Sequence, residues 1–334
     1  MTPTEFSHVP VIDVAPLVHG TAGRDRAAGE LSAACRESGF FYVVSHGVDE
    51  ALCLRLEELS REFFAQPEPQ KMSIAMSRGG RAWRGYFPVG RELTSGRPDR
   101  KEGLYFGAEL SADHPAVRAG TPLHGPNLFP EIPGFGETVL RYVDSLTELG
   151  HALIGGISLS LGLDVGYLRA RYTRDPLILF RIFNYPHPDT AQDRDSWGVG
   201  EHTDYGLLTI LRQDATGGLQ VKSRSRWIDA PPIPGSFLCN IGDMLERLTR
   251  GIYRSTPHRV LNTSTRDRLS FPFFFDPGFT ARMLPIEGLV VNEPVNDSGE
   301  RWDHASVHEF SGTYGEYLLN KVSKVFPELR NEVF

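Results

Sequence analysis

The chain has 334 residues, of which 40% are hydrophobic and 23% are charged, and its formal net charge is −7. These values are typical of a globular protein with a large core and argue against a disordered or fibrous chain. The negative charge and the lack of a basic run argue against nucleic acid as a partner. No apolar stretch is long enough to span a bilayer, so we expect no membrane segment.

The N-terminal sequence MTPTEFSHVPVIDVAPL lacks the basic and apolar regions of a signal peptide. Three cysteines, Cys35, Cys53 and Cys239, lie far apart and are not spaced as metal ligands. They suit reduced thiols buried in a core. We therefore expect a cytoplasmic protein.

The first half of the chain predicts a mixed α/β region. VPVIDVAPL is typical of a short strand, and FFYVVSHG is typical of a second strand. Residues 24–38, between them, predict a helix that ends at Gly39. Asp49 is placed to cap a helix that Pro67 ends. Residues 79–107 are rich in Gly, Arg and aromatic side chains, which favours a structured loop or an irregular sheet. Residues 136–162 predict a long helix that packs beneath a sheet.

In the second half, short apolar or aromatic runs follow one another and are separated by Gly, Pro, Asp or Asn. This pattern favours a barrel or sandwich of short strands over about residues 177–276. A helix from about Asp303 to Val325 is predicted to follow. We therefore expect one structural unit with three regions: a mixed α/β region (1–165), a β core (166–290) and a C-terminal helical segment (291–334).

The segment GEHTDYGLLTIL places His202 and Asp204 two residues apart at the start of an apolar strand. Side chains at i and i+2 of a strand share a face, and two buried polar groups are costly unless they are paired or bind something. His258, in STPHRVLN, lies 54 residues beyond Asp204. Two histidines and one carboxylate form the facial triad of non-haem Fe(II) oxygenases, which leaves positions open for substrate and O₂. A solvated His–Asp pair and an unrelated His258 are the simpler alternative.

The segment RDRLSFPFFF places Arg268 and Ser270 on one face of a strongly apolar strand. A buried arginine fork needs an anion, and a bound dicarboxylate would serve. A structural salt bridge to Asp267 or Glu246 is the alternative. Phe274 shares the face of Arg268 and could wall the site. We assign no role in the site to the other histidines considered, His8, His46, His151 and His187.

In residue type and order, these motifs resemble the isopenicillin N synthase-like group of Fe(II)/2-oxoglutarate oxygenases. The resemblance extends over most of the chain and includes GFFYVVSHGV, RGYFPVGRE, PDRKEGLYFG, PLHGPNLFP, FRIFNYP, HTDYGLLTIL, NIGDMLERLTRG and STPHRVLN. It implies a mainly β fold with flanking helices and a double-stranded β-helix core, that is, a cupin-like jelly roll. The strand-rich second half agrees with this fold.

The resemblance also implies the ligands of an iron site and of a cosubstrate site. His202, Asp204 and His258 would bind Fe(II). Arg268 and Ser270 would bind the distal carboxylate of 2-oxoglutarate, and Tyr185 would add a phenol hydroxyl near it. Plant members often read N-Y-Y-P, whereas this chain reads Phe183-Asn184-Tyr185-Pro186. Asn184 is therefore displaced by one residue, and we expect it to face away.

The implied reaction is the hydroxylation, desaturation or ring closure of a small molecule by O₂, with release of succinate and CO₂. We expect a small anionic or amino-acid-derived substrate, no nucleic-acid or membrane partner, and a monomer or weak homo-oligomer. The residues expected to line its pocket are Trp83, Arg84, Tyr86, Phe106, Arg181 and Phe274.

Arg181 matches an arginine of an ethylene-forming enzyme of this family and could bind the substrate's acid group. A structural ion pair is its alternative role. Three further functions stay open: an oxidase that does not use 2-oxoglutarate, ethylene formation from 2-oxoglutarate itself, and a non-catalytic cupin-like binding module.

Overall fold

Two sheets enclose one cavity, to which both contribute lining side chains. We describe them from a computed structural model of residues 5–94, 96–188, 197–289, 297–298, 301 and 305–325. The strands in chain order are β1 (Val11–Asp13), β2 (Phe40–Val44), β3 (Gly85–Phe87), β4 (Leu93–Thr94), β5 (Arg97–Pro98), β6 (Glu102–Gly107), β7 (Leu177–Tyr185), β8 (Val199–His202), β9 (Leu208–Gln213), β10 (Leu219–Lys222), β11 (Trp227–Asp229), β12 (Phe237–Ile241), β13 (His258–Val260) and β14 (Arg268–Asp276).

The larger sheet has eight strands in the order β1-β2-β12-β9-β14-β7-β6-β3, and the smaller has four in the order β11-β10-β13-β8. Strands β4 and β5 form a separate hairpin. The large sheet therefore takes four strands, β1, β2, β3 and β6, from residues 1–165, the predicted mixed α/β region. Together the two sheets form the double-stranded β-helix, and the fold is mainly β with flanking helices.

Strands β7 and β14 pair antiparallel over nine residues each, with Arg268 opposite Tyr185 and Phe274 opposite Leu179. Alternate residues of β14, beginning with Arg268, line the cavity. The intervening side chains lie in the core on the other face of the sheet. Because both faces are covered, the strand reads as a nearly continuous apolar run interrupted by a few polar residues.

Most of the described helices precede β7 in the chain, one lies between β12 and β13, and one follows β14. They are α1 (Ala15–Val18), α2 (Arg24–Glu37), α3 (Glu50–Phe64), α4 (Glu68–Lys71), α5 (Pro115–Arg118), α6 (Phe135–Ser160), α7 (Tyr167–Arg171), α8 (Asp243–Leu248) and α9 (Tyr314–Val325), with short 3₁₀ segments at Met72–Ile74 and Met76–Ala82.

Three of these helices confirm the sequence prediction closely: α2, α3 and α6. The Asp49 carboxylate caps α3 by accepting a hydrogen bond from the amide of Ala51 at 2.9 Å. Helix α6 packs against the large sheet, where Gly150 lets Phe275 approach so closely that an added Cβ would lie 2.5 Å from its ring. Residues 79–107 form the irregular sheet that was one of the two expected outcomes.

The C-terminal helix begins later than predicted. Residue 303 lies outside the described residues, and residues 305–313 are not helical. The Thr313 hydroxyl accepts from the amide of Glu316, and the Glu316 carboxylate accepts from the amide of Thr313 at 2.7 Å, which is a capping box at the start of α9. Among the described residues, no helix combines the length and apolar character needed to cross a membrane.

Candidate active site

Two histidines and an aspartate converge at one end of the cavity. His202 ends β8 and lies directly opposite His258, the first residue of β13. Their ring centroids are 4.3 Å apart. Asp204 lies just beyond β8 rather than on it, so the expected sharing of one strand face is wrong. The turn after His202 nevertheless brings the Asp204 carboxylate close to the two imidazoles.

The distances among the donor atoms suit one metal ion. Asp204 Oδ1 lies 3.9 Å from His202 Nε2 and 3.8 Å from His258 Nε2. Two ligands of one metal, each bonded at about 2.1 Å, can be at most about 4.2 Å apart. Oxygen and imidazole donors with further positions left open fit a non-haem Fe(II) centre.

Hydrogen bonds and burial prepare both imidazoles for this role. Nδ1 of His202 lies 2.8 Å from the Gly200 carbonyl, and Nδ1 of His258 lies 3.3 Å from the Thr256 carbonyl. A carbonyl can only accept, so each Nδ1 carries the hydrogen and each Nε2 keeps its lone pair. Burial lowers the pKa of His202, and burial and His202 together lower the pKa of His258 to about 4. Both rings are therefore neutral at pH 7.

The Asp204 carboxylate is oriented by two neutral donors. Its Oδ2 accepts from the Thr209 hydroxyl at 2.6 Å and from the Asn240 amide at 2.7 Å. These bonds leave Oδ1 directed at the imidazoles. Burial alone would raise the pKa of Asp204, but the two histidines and these hydrogen bonds outweigh it and lower the pKa. The group is thus a carboxylate, as metal binding requires.

Arg268 lies elsewhere on the wall of the same cavity and is fully buried. Its Nε donates to the Gly217 carbonyl at 2.6 Å and its Nη2 to Gln213 Oε1 at 3.1 Å, whereas Nη1 has no hydrogen-bond partner among the described residues. No carboxylate of a described residue lies within 4 Å of the Arg268 guanidinium. The alternative of a salt bridge to Asp267 or Glu246 therefore does not hold. The guanidinium is held by neutral groups and is free to pair with an anion.

Two hydroxyl groups lie beside this guanidinium. Ser270 Oγ and the Tyr185 hydroxyl are 3.4 Å apart, and the Arg268 guanidinium stacks 4.9 Å from the centre of the Tyr185 ring. Asn184, by contrast, donates to Glu102 Oε1 at 2.9 Å outside the cavity lining, so it faces away as expected.

Arg181 is the second arginine in the wall of the cavity. Its guanidinium lies 4.2 Å from the centre of the Tyr105 ring and 5.0 Å from that of Phe274. Its nearest carboxylate oxygen, Glu92 Oε1, is 3.6 Å from Nη1. Glu92 is shared, because Lys101 Nζ lies 2.9 Å from its other oxygen. The expected ion pair therefore exists, but it is long and leaves Arg181 facing the cavity.

Two family models match most of the length of this chain. A model described as the 2OG-Fe(II) oxygenase superfamily matches residues 156–277, and one described as non-haem dioxygenase in morphine synthesis N-terminal matches residues 9–132. A "Probable iron/ascorbate oxidoreductase" of Dictyostelium discoideum is 55% identical over 91% of this chain and 90% of its own.

The chain belongs to the 2OG-Fe(II) oxygenase family.

Other members lie close to it in sequence and in structure. A 1-aminocyclopropane-1-carboxylate oxidase of Dictyostelium mucoroides is 39% identical over 97% of this chain and 96% of its own. A homoarginine-6-hydroxylase of Arabidopsis thaliana is 36% identical over 97% of this chain and 99% of its own. The crystal structure of a full-length Neurospora crassa protein in complex with alpha-KG superposes with a TM-score of 0.78, at 26% identity, and covers 94% of this chain and 96% of that one. This oxygenase is an Fe(II)- and 2-oxoglutarate-dependent dioxygenase.

Three residues expected in the substrate pocket of this oxygenase lie elsewhere. Trp83, Arg181 and Phe274 line the cavity, but Arg84, Tyr86 and Phe106 do not. Tyr86 donates to Glu102 Oε2 at 2.5 Å in the core.

Strand alternation and a tight turn explain these placements. Phe106 pairs with Phe180 and points to the face opposite that of Tyr105 and Arg181. Trp83 has φ = 57°, which turns the next residue, Arg84, away from the cavity. We therefore no longer expect Arg84, Tyr86 or Phe106 to contact the substrate.

The four histidines given no role lie apart from the metal-binding cluster. His187 pairs with Asp267 at 2.8 Å near the surface, and His8 lies near Ser7. His46 lies 3.2 Å from the Gly235 carbonyl, and His151 packs edge-on against Phe275.

Sequence reasoning missed Thr209, Asn240, Lys101 and Glu92. Thr209 follows the HxD motif on the next strand and is the residue of these four that could most easily have been predicted from the sequence. Asn240 reaches the cavity only through the pairing of β12 with β9, whereas Glu92 and Lys101 flank the short β4–β5 hairpin.

Proposed function

We propose that this oxygenase hydroxylates a small amino acid whose carboxylate binds to Arg181. In this proposal His202, Asp204 and His258 hold the iron, and Arg268 binds the distal carboxylate of 2-oxoglutarate with help from Ser270 and Tyr185. Iron with 2-oxoglutarate and O₂ supplies the oxidising chemistry. Overall, a substrate C–H bond becomes C–OH while 2-oxoglutarate becomes succinate and CO₂.

The observation that carries the substrate assignment is the environment of Arg181. Its side chain is only 14% exposed, its Nε is buried without a hydrogen-bond partner among the described residues, and its nearest carboxylate oxygen is 3.6 Å away. Such a guanidinium is costly unless an anion completes its contacts. Because Arg268 supplies a separate anion site, Arg181 is left for the substrate.

The charge of the nearby groups supports a zwitterionic substrate rather than a simple acid. Glu92 lies beside Arg181, and the cavity also contains Asp276 and Lys101. When the carboxylate of the substrate binds to Arg181, these acidic side chains therefore lie within reach of the substrate's amino group or basic side chain. The names of two relatives, homoarginine-6-hydroxylase and 1-aminocyclopropane-1-carboxylate oxidase, each specify a small amino acid.

The chain's own residues position the reactants and keep water out. Apolar side chains of both sheets, Leu179, Phe183, Leu211, Leu219 and Val260, line the cavity between the polar groups. Helix α9 covers it with Leu318 and Val322. A dry, preorganised cavity strengthens the ionic contacts to both acids and suppresses side reactions.

A succinate-release screen tests the proposal. Purified enzyme with iron, ascorbate and 2-oxoglutarate is given a panel of small amino acids, and each product is examined by mass spectrometry for one added oxygen atom. We expect one class of amino acid to stimulate succinate release and to gain oxygen in equal amounts. Oxygen consumption that does not need 2-oxoglutarate would instead indicate the oxidase, and ethylene from 2-oxoglutarate would indicate the ethylene-forming alternative.

A further inference from the structure

A second cavity lies outside the active site, and a buried arginine forms part of its wall. Arg84 is 2% exposed and lines this cavity of about 390 Å³. The residue before it, Trp83, lines the active-site cavity instead. The left-handed turn at Trp83 therefore directs two consecutive side chains into two different cavities.

The contacts of Arg84 are unusually few for a buried guanidinium. Nη2 donates to the Leu123 carbonyl at 2.9 Å, and this is its one hydrogen bond to the described part of the chain. Nε is buried without a partner there. No carboxylate of a described residue lies within 4 Å, and burial lowers the pKa of Arg84 to about 10.

The acidic side chain that stabilises the charge of Arg84 forms its hydrogen bonds with Asn127 and not with the guanidinium. Glu109 is the nearest acid by its electrostatic effect, but its Oε2 accepts from the Asn127 amide nitrogens, at 2.9 Å from the backbone and 2.7 Å from the side chain. Asn127 also occupies both backbone polar groups of Gly107. An added Cβ at Gly107 would lie 2.0 Å from Arg84 Nη2, so the guanidinium lies directly against this glycine.

The wall of this cavity is largely apolar, and most of its charged residues are basic. Arg171 and Arg174 lie at its exposed rim, His114 and His124 also line it, and Asp175 is the acidic residue among the described lining residues. A buried guanidinium with unused donors and a basic rim is the arrangement that binds carboxylate and phosphate groups.

We propose that this cavity is a second anion-binding site, in which Arg84 pairs with the carboxylate or phosphate of a small organic anion. Arg171 and Arg174 attract the anion at the rim, and Arg84 supplies the desolvated contact. The site is separate from that of 2-oxoglutarate and does not depend on the substrate assigned to Arg181.

Calorimetric titration of the full-length chain, without added metal, tests this site. Succinate and glycerol 3-phosphate are the probes, at constant ionic strength, and they distinguish a carboxylate from a phosphate ligand. The Arg181→Ala/Arg268→Ala protein removes the two arginines of the active-site cavity that could bind the same probes. We expect this protein to keep one binding site for at least one probe.

Adding Arg84→Met to that protein should weaken binding by at least about 30-fold, because the desolvated charge pair is lost. Arg171→Ala with Arg174→Ala, at exposed positions, should weaken binding by about 2- to 5-fold. Arg118→Ala, an exposed residue outside the lining, is the matched control. If Arg84→Met does not fold, the rim variant decides, and unchanged affinity in that variant contradicts the proposal. Absence of binding in the starting protein, or equal binding after Arg84→Met, also contradicts it.

Discussion

Thr209 and Asn240 lie directly opposite each other on strands β9 and β12, and both donate to the same oxygen, Oδ2 of Asp204. The cross-strand pair therefore fixes the rotation of the carboxylate and leaves Oδ1 for the metal. Outer partners of this kind orient a ligand and raise the affinity of a site.

Removing these donors should weaken the binding of iron without removing a ligand. We expect Asn240→Ala and Thr209→Val each to reduce Fe(II) affinity by about 10- to 100-fold. Thr147→Val, a partly buried threonine on helix α6, is the control. Anaerobic Fe(II) titration of the folded variants measures the effect, and equal affinity in all three proteins would mean that the pair serves packing alone.

Replacing a proposed ligand should have a larger effect. His202→Ala, Asp204→Ala or His258→Ala should abolish turnover, because each removes one bond to iron and the remaining two donors cannot hold the site. His187→Ala is the control, since that histidine pairs with Asp267 near the surface. Activity retained in His258→Ala would remove this residue from the proposed triad.

The cosubstrate site predicts a graded response. Arg268→Ala should weaken 2-oxoglutarate binding by about 2–5 kcal/mol, the usual effect of truncating a buried charge pair. Ser270→Ala should weaken it by about 1 kcal/mol, the contribution of one hydrogen bond. Arg266→Ala, an exposed arginine two residues earlier, should leave the KM for 2-oxoglutarate unchanged. A wild-type KM in Arg268→Ala would place the cosubstrate elsewhere.

Asp276 predicts a dependence of stability on pH. It is buried, accepts from the Tyr314 hydroxyl at 2.5 Å, and burial raises its pKa to about 7. An acid whose pKa is raised on folding binds more protons in the folded state, so its contribution to stability falls as pH rises from about 4 to about 7.

Asp276→Asn removes this titration but keeps an acceptor for Tyr314. Relative to the wild type, the variant should gain up to about 4 kcal/mol of unfolding free energy between pH 4 and pH 7. Urea unfolding of both metal-free proteins across this range measures the difference. A constant difference across the range would show that Asp276 has the same pKa in the folded and unfolded chains.

The sequence predicted those parts of the site that depend on short spacings. The three proposed metal ligands came from residue type and separation, and Arg268, Ser270 and Phe274 followed from alternation along one strand. The placement of Arg84 and Tyr86 could not be predicted in this way because the chain turns through positive φ values at Trp83 and Gly85. No regular period survives such turns. Phe106 lies on the regular strand β6, on the face opposite that of Tyr105.

Other features required the three-dimensional pairing of distant segments. The contact of Asn240 with Asp204 depends on β12 lying beside β9, which the local sequence does not specify. The start of helix α9, in contrast, could have been predicted, since Thr313 and Glu316 have the spacing of a capping box.

Replacing Arg181 should affect the binding of the substrate but not the oxidation of 2-oxoglutarate in its absence. In Arg181→Ala, the KM for the amino acid should rise by at least about 30-fold, while slow succinate release without substrate stays within about twofold of the wild type. Arg141→Ala, an exposed arginine on helix α6, is the control. If both variants show wild-type substrate kinetics, Arg181 has only a structural role.

The most direct test compares the amino acid that best stimulates succinate release with its carboxamide, which has nearly the same shape but no negative charge. If Arg181 binds the carboxylate, the free acid should stimulate 2-oxoglutarate turnover and become hydroxylated, whereas the amide should need a concentration at least about 30-fold higher. In Arg181→Ala this preference should disappear. Equal stimulation by acid and amide in the wild-type enzyme would contradict the proposed substrate recognition.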